Sequence, residues 1–454
     1  MDVALILTHR CNLACGYCYA GEHHKTDLDD SVLQRGVDLL FSDGSGRAQL
    51  SFFGGEPFLN FDAMQRAVEL AEARARSAGA QLTIQCTTNG SLLREEHVRF
   101  LTKHGVHVTV SIDGVREAHD HNRPCAGGKP SFDQVHGGLR RLLDAGVPCD
   151  AMMVITPDTA SYAFISTNFL WSEGVRTIRA NIAVDESWTD ETRTELREQL
   201  VSIGWEVLAR RLKNEPISFK PFEAGIRAFD EAAEPFARAT DPRRKVVVAT
   251  SGNLYPCAPM VGEDRDTGKE ASLRLGHIDE GPAVIAQRVA QQGVSCDRGK
   301  ACQCAAYLET GDRYTPGRIG RWYGQVCSEI GHTIAESLAR AQLAPKKPAS
   351  RGRRAMIGLS AIVGAAALGA PLMLLGGEEE LPRPCALRTR KQVGMRPDTD
   401  YAIAGEMPAY PEPPEPEVFV EGGVSEPIEP PPPREPEPAV DGEMPIEVLG
   451  DVEY

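Results

Sequence analysis

Three cysteines near the amino terminus, Cys11, Cys15 and Cys18, lie in one short run as Cys-x3-Cys-x2-Cys. That spacing suits three corners of an iron–sulfur cube. Cysteine thiolates are the usual ligands of 4Fe-4S clusters, so three of them leave the fourth iron to another molecule. The rival chemistry is a structural zinc site, which normally takes four protein ligands in paired, short-spaced sets. No fourth ligand stands in the obvious place, although His9 and His23 are close in sequence. A second group of cysteines, Cys257, Cys296, Cys302 and Cys304, falls in one later region, followed by Cys327. Cys86, Cys125, Cys149 and Cys385 are isolated, and buried or free thiols are the default for them.

The elements that must position these groups follow from periodicity. Short β-rich runs at 3–8, 48–53, 82–87, 106–112, 149–155 and 176–182 alternate with helical patterns at 31–41, 61–78, 94–104, 132–145 and 162–173. Gly79, Gly105, Gly146 and Gly174 each follow one of the last four helices, where a positive φ is wanted. Strand, helix, strand repetition with short connections implies a parallel sheet with right-handed crossovers. About six such units predict an α/β fold, an open, partial (β/α)6 barrel of the TIM type, with chemistry at the carboxyl ends of its strands. The cysteine trio, Gly54-Gly55-Glu56-Pro57, Thr88-Asn89-Gly90 and Ser111 to Gly114 all fall at such ends. A helical pattern over 189–212 leads out of the repeat. Order resumes at 246–250, and Ser251-Gly252-Asn253 marks a hairpin turn.

The trio, with Tyr17 before its last cysteine and directly after a first strand, resembles the signature of the radical S-adenosylmethionine (SAM) superfamily. Phe53-Gly54-Gly55-Glu56-Pro57 resembles the segment that binds the SAM amino group in that family. Ser111-Ile112-Asp113-Gly114 with His119, Asp120 and Arg123 resembles the pattern of its peptide-modifying members. The likeness covers residues 1 to about 330. It implies a 4Fe-4S cluster on Cys11, Cys15 and Cys18, and SAM held through its amino and carboxylate groups. Reductive cleavage of SAM would give a 5'-deoxyadenosyl radical that removes hydrogen from an inert C–H bond. Gly54 and Gly55 would let backbone approach the cofactor, and Glu56 would offset its ammonium. Ser111 and Arg123 are candidates for its ribose or carboxylate. A flavodoxin or ferredoxin would supply the electron.

Gly252 to Cys257, Leu275-Gly276-His277-Ile278 and the cysteines at 296, 302, 304 and 327 resemble the auxiliary-cluster module called SPASM, or its shorter twitch form. The cysteine expected before Gly252 is missing, and Cys302-Gln303-Cys304 is tighter than the usual pair. Five cysteines complete one auxiliary 4Fe-4S cluster but not two. Cys257, Cys296 and Cys302 are the first ligand choices, with Cys304 and Cys327 competing for the last place. Zinc is the alternative metal here.

The expected organisation is a radical SAM barrel at 1–214, an auxiliary-cluster domain at 215–340, a basic linker at 341–354, a transmembrane helix at 355–375 and a disordered tail at 376–454. The 355–375 stretch is uncharged, long enough to span a bilayer, and preceded by Lys346, Lys347, Arg351, Arg353 and Arg354, which would hold the enzyme on the cytoplasmic side. The tail is rich in Pro and Glu, carries most of the net charge of -15, and buries too little apolar area to fold. No basic stripe suggests nucleic acid as a partner. The leading functional expectation is a maturase acting on a ribosomally made peptide or a protein, the acidic tail itself being one candidate substrate. A sulfatase-maturase-like dehydrogenase and a membrane-tethered iron–sulfur electron relay are the alternatives.

Overall fold

The computed structural model describes residues 1–233, 245–265, 269–292, 303–315 and 317–343. Cys296, Cys302, Cys385, the basic residues from Lys346 onward, the apolar stretch at 355–375 and the tail lie outside the described residues. No helix among the described residues is long and apolar enough to cross a membrane.

Six strand–helix steps follow the order set by the hydrophobic periodicity. They run β1 (Asp2–Ile6), α1 (Asp30–Leu39), β2 (Arg47–Phe53), α2 (Phe61–Ala78), β3 (Gln81–Thr88), α3 (Glu95–Lys103) and β4 (His107–Ser111). A short helix α4 (Arg116–Asn122) precedes α5 (Phe132–Asp144), β5 (Cys149–Ile155), α6 (Ala163–Ser172), β6 (Thr177–Ile182) and α7 (Asp190–Leu212). The helix-ending glycines take the conformation expected of them, with φ of 61° at Gly79 and 67° at Gly146. Asp29 starts α1 by accepting from the Ser31 amide at 2.8 Å.

Beyond α7 come β7 (Ser218–Phe219), α8 (Glu223–Ala233), β8 (Lys245–Val248), β9 (Asn253–Tyr255), β10 (Gly276–His277), α9 (Pro282–Gln292), α10 (Gln303–Thr310) and α11 (Arg318–Leu343). One ten-stranded sheet results, in the order β10-β9-β8-β1-β2-β3-β4-β5-β6-β7. It is parallel from β8 to β7, and the anticipated hairpin at 251–253 joins β8 to β9 antiparallel, pairing Val247 with Tyr255. The parallel run is longer than six strands, because β8 docks on the free side of β1, with Val246 opposite Val3. Strands on either side of residue 214 therefore share one sheet.

The main core lies between this sheet and its helices, where Leu5, Leu50, Phe52, Val108, Val110, Ala151 and Ile178 meet Val37, Met64, Leu101 and Leu139. A smaller core covers the opposite sheet face at the β1–β8–β9 end. It contains Ala4, Ile6, Val247, Tyr255, Cys257, Met260, Cys304 and Tyr307. Elsewhere that second face is polar at the amino ends of the strands, where it carries Gln49, Gln85, His107 and Asp150.

Candidate functional site

The cysteine loop leaves the carboxyl end of β1 and is stitched to its neighbours on two sides. On one side the Gly55 amide donates to Thr8 O at 2.8 Å and the Glu56 amide to Arg10 O at 2.8 Å. On the other, the Ala14 amide reaches Pro124 O at 2.8 Å and the Gly16 amide reaches Asn122 O at 2.9 Å. Arg10 forks onto Asp27, with Nε to Oδ1 at 3.0 Å and Nη2 to Oδ2 at 2.7 Å, closing the base of the loop. A Cβ on Gly55 would lie 2.2 Å from Arg10 O, so the bare backbone is what lets this turn lie against the cysteine loop. The close approach that the glycines permit here is to the chain itself.

Glu56 is fully buried. Its Oε1 accepts from the Phe58 amide at 3.1 Å and Thr88 Oγ1 at 2.8 Å, and its Oε2 from the Asn89 amide at 2.7 Å. Burial pushes its pKa up to about 7 against the pull of those hydrogen bonds. Both oxygens are thus engaged in tying the turn after β2 to the turn after β3, which differs from the expected pairing with a ligand ammonium. Asn89, presented by that second turn, donates to Asn12 Oδ1 at 3.0 Å and points its Nδ2 at Cys11 Sγ, 3.9 Å away.

A second buried carboxylate, Asp113, organises the far side. Its Oδ2 accepts from the Tyr17 hydroxyl at 2.6 Å, and its Oδ1 from Arg123 Nη2 at 3.0 Å and the Val154 amide at 2.9 Å. The Arg123 guanidinium sits 5.2 Å from the Tyr17 ring centroid and is almost wholly buried. Ser111 lies half-buried at the end of β4. His119 bridges the Asp113 amide and Ser131 Oγ, and burial lowers its pKa to about 4, which makes it a neutral strut. Asp120 accepts from the Ser131 and Phe132 amides at the start of α5. Both residues of the His119-Asp120 pair are therefore structural. Tyr17 and Asn89 belong to the site through a hydroxyl and an amide that spacing alone does not announce.

Burial raises the pKa of all three thiols, Cys11 to about 12, and Cys15 and Cys18 also repel charge on Cys11. Arg123 opposes this at Cys15. Such a trio ionises when a cationic centre is bound. Among the described residues no three His, Cys, Asp or Glu side chains converge as ligands of a single ion. A cluster presents separate iron corners to its thiolates and does not require that convergence. The buried Arg123 Nε and His9 Nε2 also lack a partner within the protein. These features fit a cluster that the three thiols would hold, with a polar ligand beside it.

Of the later cysteines, Cys257 and Cys304 are buried in the smaller core. They share that core with Ala4 and Ile6 of β1, the strand that leads into the cysteine loop. Cys327 is placed elsewhere, on α11 in the main core, one turn along that helix from Tyr323. The cysteine loop is also clamped to this later region. The Glu22 amide donates to Glu263 Oε1 at 2.9 Å, and Arg265 pairs with Glu22 at 2.8 Å. A separate cavity of about 580 Å³ opens at the amino ends of β3 and β4, lined by Thr83, Gln85, His104 and His107 among others. It is at the other end of the strands from the cysteines.

The sequence matches the Radical SAM superfamily over residues 5–163. An uncharacterized protein of Methanocaldococcus jannaschii is 31% identical over 174 residues, which is 38% of this chain and 59% of that one. The serine-type anaerobic sulfatase-maturating enzyme of Bacteroides thetaiotaomicron is 34% identical over 168 residues, 35% of this chain and 40% of that enzyme. The chain thus spans between two fifths and three fifths of these relatives' length. Among solved structures, native anSMEcpe with bound AdoMet superposes with a TM-score of 0.60 at 18% identity, covering 75% of this chain and 99% of that one. Its likeness concerns the fold, and the match to the Radical SAM superfamily, over residues 5–163, concerns the segment that carries the cysteine loop and the turns packed around it.

Proposed function

We propose that this chain is a radical SAM enzyme that modifies a peptide or protein. The observation that carries the reading is the placement of Cys11, Cys15 and Cys18 in one loop at the carboxyl end of β1, stitched between the Gly55-Glu56 turn and the Asn122–Pro124 segment. When bound, a 4Fe-4S cluster with SAM supplies a carbon-centred radical able to abstract hydrogen. The chain's own work is to hold the three thiolates, keep water from the buried Glu56 and Asp113 side, and present Arg123, and with it Ser111, to the ligand's polar groups. We read the six strand–helix steps as an open barrel around that centre.

Cys257 and Cys304, with Cys296 and Cys302 added from the sequence, are the ligand set we propose for one auxiliary cluster of SPASM or twitch type. A flavodoxin or ferredoxin is the proposed reductant. The apolar stretch at 355–375 is proposed as an anchor on sequence grounds alone, which makes membrane fractionation of the full chain its test. The named relatives favour a second reading, oxidation of a Ser or Cys side chain in a sulfatase. The shortened later cysteine set counts against it.

The deciding experiment is anaerobic reconstitution followed by reduction in the presence of SAM. Release of 5'-deoxyadenosine, abolished together with the cluster's visible absorption by Cys11→Ala, Cys15→Ala or Cys18→Ala, is the expected result. A protein that holds no cluster dependent on these cysteines would refute the reading. Mass spectrometry of the chain after turnover tests the tail as substrate, an unchanged mass removing that possibility.

A further inference from the structure

Strands of parallel sheets are usually buried on both faces and apolar throughout. Here the face turned away from the main core is polar at the amino ends of its strands. Gln49 and Gln85 touch across β2 and β3 at 3.5 Å on this face. Next to them, three polar residues on three adjacent strands form a chain. His107 Nε2 lies 3.3 Å from Asp150 Oδ1, and Arg179 Nε lies 2.9 Å from Asp150 Oδ2. Asp150 is nearly enclosed, its side chain 7% exposed, whereas those of His107 and Arg179 are 36% and 44% exposed. Both oxygens of the buried carboxylate are therefore turned inward to cationic or donor groups. What the chain offers outward is the rest of the guanidinium.

Arg179 uses its Nε for this contact, which fixes the plane of the guanidinium. Its two Nη groups have no hydrogen-bond partner among the described residues. A planar fork of donors, oriented and partly desolvated, matches a carboxylate better than any neutral group. The fork is open to an incoming group, the Arg179 side chain being 44% exposed, and His107, part of the same three-residue chain, also lines the 580 Å³ cavity at the same end of the sheet. We propose that Arg179 is a specificity residue that receives a carboxylate of an extended peptide substrate, an inference that rests on the reading of this chain as a peptide-modifying enzyme. The anchor stands at the start of the strands, and Ser111 at the cysteine end is four residues further along β4 than His107, a rise of about 13 Å. An extended peptide covers that span in about four residues. The recognised Asp, Glu or terminal carboxylate is thus about four residues from the modified position.

The test uses the full chain with its cluster reconstituted and two fluorescein-labelled, carboxy-amidated dodecapeptides, one alternating Gly with Glu and the other Gly with Gln. Fluorescence anisotropy at low ionic strength is expected to show the Glu peptide binding about fivefold more tightly, the scale of one partly exposed ion pair. Arg179→Gln is expected to erase the preference and Arg179→Lys to restore part of it. Asp150→Asn, which keeps the guanidinium and removes the internal anion, and the distant surface variant Arg99→Gln are expected to retain it. Equal affinity for the two peptides overturns the proposal, as does a preference that survives Arg179→Gln or is lost in Arg99→Gln. Release of 5'-deoxyadenosine by the unsubstituted protein is scored separately. Its absence would fell the functional reading and leave the carboxylate site to be judged on binding alone.

Discussion

Replacing Glu56 by Gln should change the dependence of stability on pH, and the structure fixes both the sign and the scale. Glu56 is fully buried and its pKa is raised to about 7 from an ordinary 4.5. A carboxyl whose folded pKa lies above its unfolded value binds its proton more tightly in the folded chain. Its contribution therefore weakens as pH rises from about 4.5 to about 7 and is constant above. A shift of that size corresponds to about 3 kcal/mol between the two ends of the window. Gln cannot ionise, so its stability lacks this slope. It keeps an oxygen for the Phe58 amide and the Thr88 hydroxyl but sets an NH2 group against the Asn89 amide, leaving a buried donor without a partner at about 1–3 kcal/mol. The variant should be the less stable protein at pH 5 and should draw level with or overtake the parent by pH 8. Urea unfolding of the cluster-free protein at pH 5, 6, 7 and 8 measures the difference directly. A stability difference that does not vary with pH over this range would refute the assignment of a proton to Glu56 within it.

Other substitutions test the site's construction. Gly55→Ala places a methyl 2.2 Å from Arg10 O, so the turn and the cysteine loop must separate, and iron content after reconstitution should fall well below that of the parent. Tyr17→Phe removes the 2.6 Å hydrogen bond to buried Asp113 and should cost about 1.5–3 kcal/mol in denaturant unfolding, with no change in iron per chain. Cys304→Ser should lower the iron count, whereas Cys327→Ser, on a helix in the other core, should leave it unchanged while lowering the melting temperature.

Much of the framework is legible in residue order. The alternation of β-rich and amphipathic runs gives six strand–helix steps with ends displaced by no more than about two residues, because each step is a local pattern terminated by a local signal such as Gly79 or Gly146. The hairpin at Ser251-Gly252-Asn253 is local in the same sense. The docking of β8 on β1 is not, since Val246 and Val3 meet across most of the domain and no periodicity links them. The seven-residue helix α4 escapes detection because its sequence, Arg-Glu-Ala-His-Asp-His-Asn, is mostly polar and lacks an apolar stripe. Within the site, the cysteine loop and the turns after β2, β3 and β4 are visible as residue types at strand ends. The direction in which Glu56 and Asp113 point is not, because turn sequences do not say whether a carboxylate faces a ligand or a neighbouring amide. Cys327 illustrates the limit of spacing arguments: it follows the other cysteines in order, yet helix α11 carries it into a different core.

The position of β1 between β2 and β8 has a consequence for how the chain reaches its native form. Pairing with β2 closes a short loop, but pairing with β8 must wait until residue 245 has been made, and contacts so distant in sequence close slowly. Until then an apolar strand edge beside the cysteine loop stays open to association with other chains. A nascent chain, or one truncated before β8, would therefore be prone to aggregate while its first three thiols were still exposed to oxidation. Timely delivery of iron and sulfide would then favour productive folding over loss to precipitate.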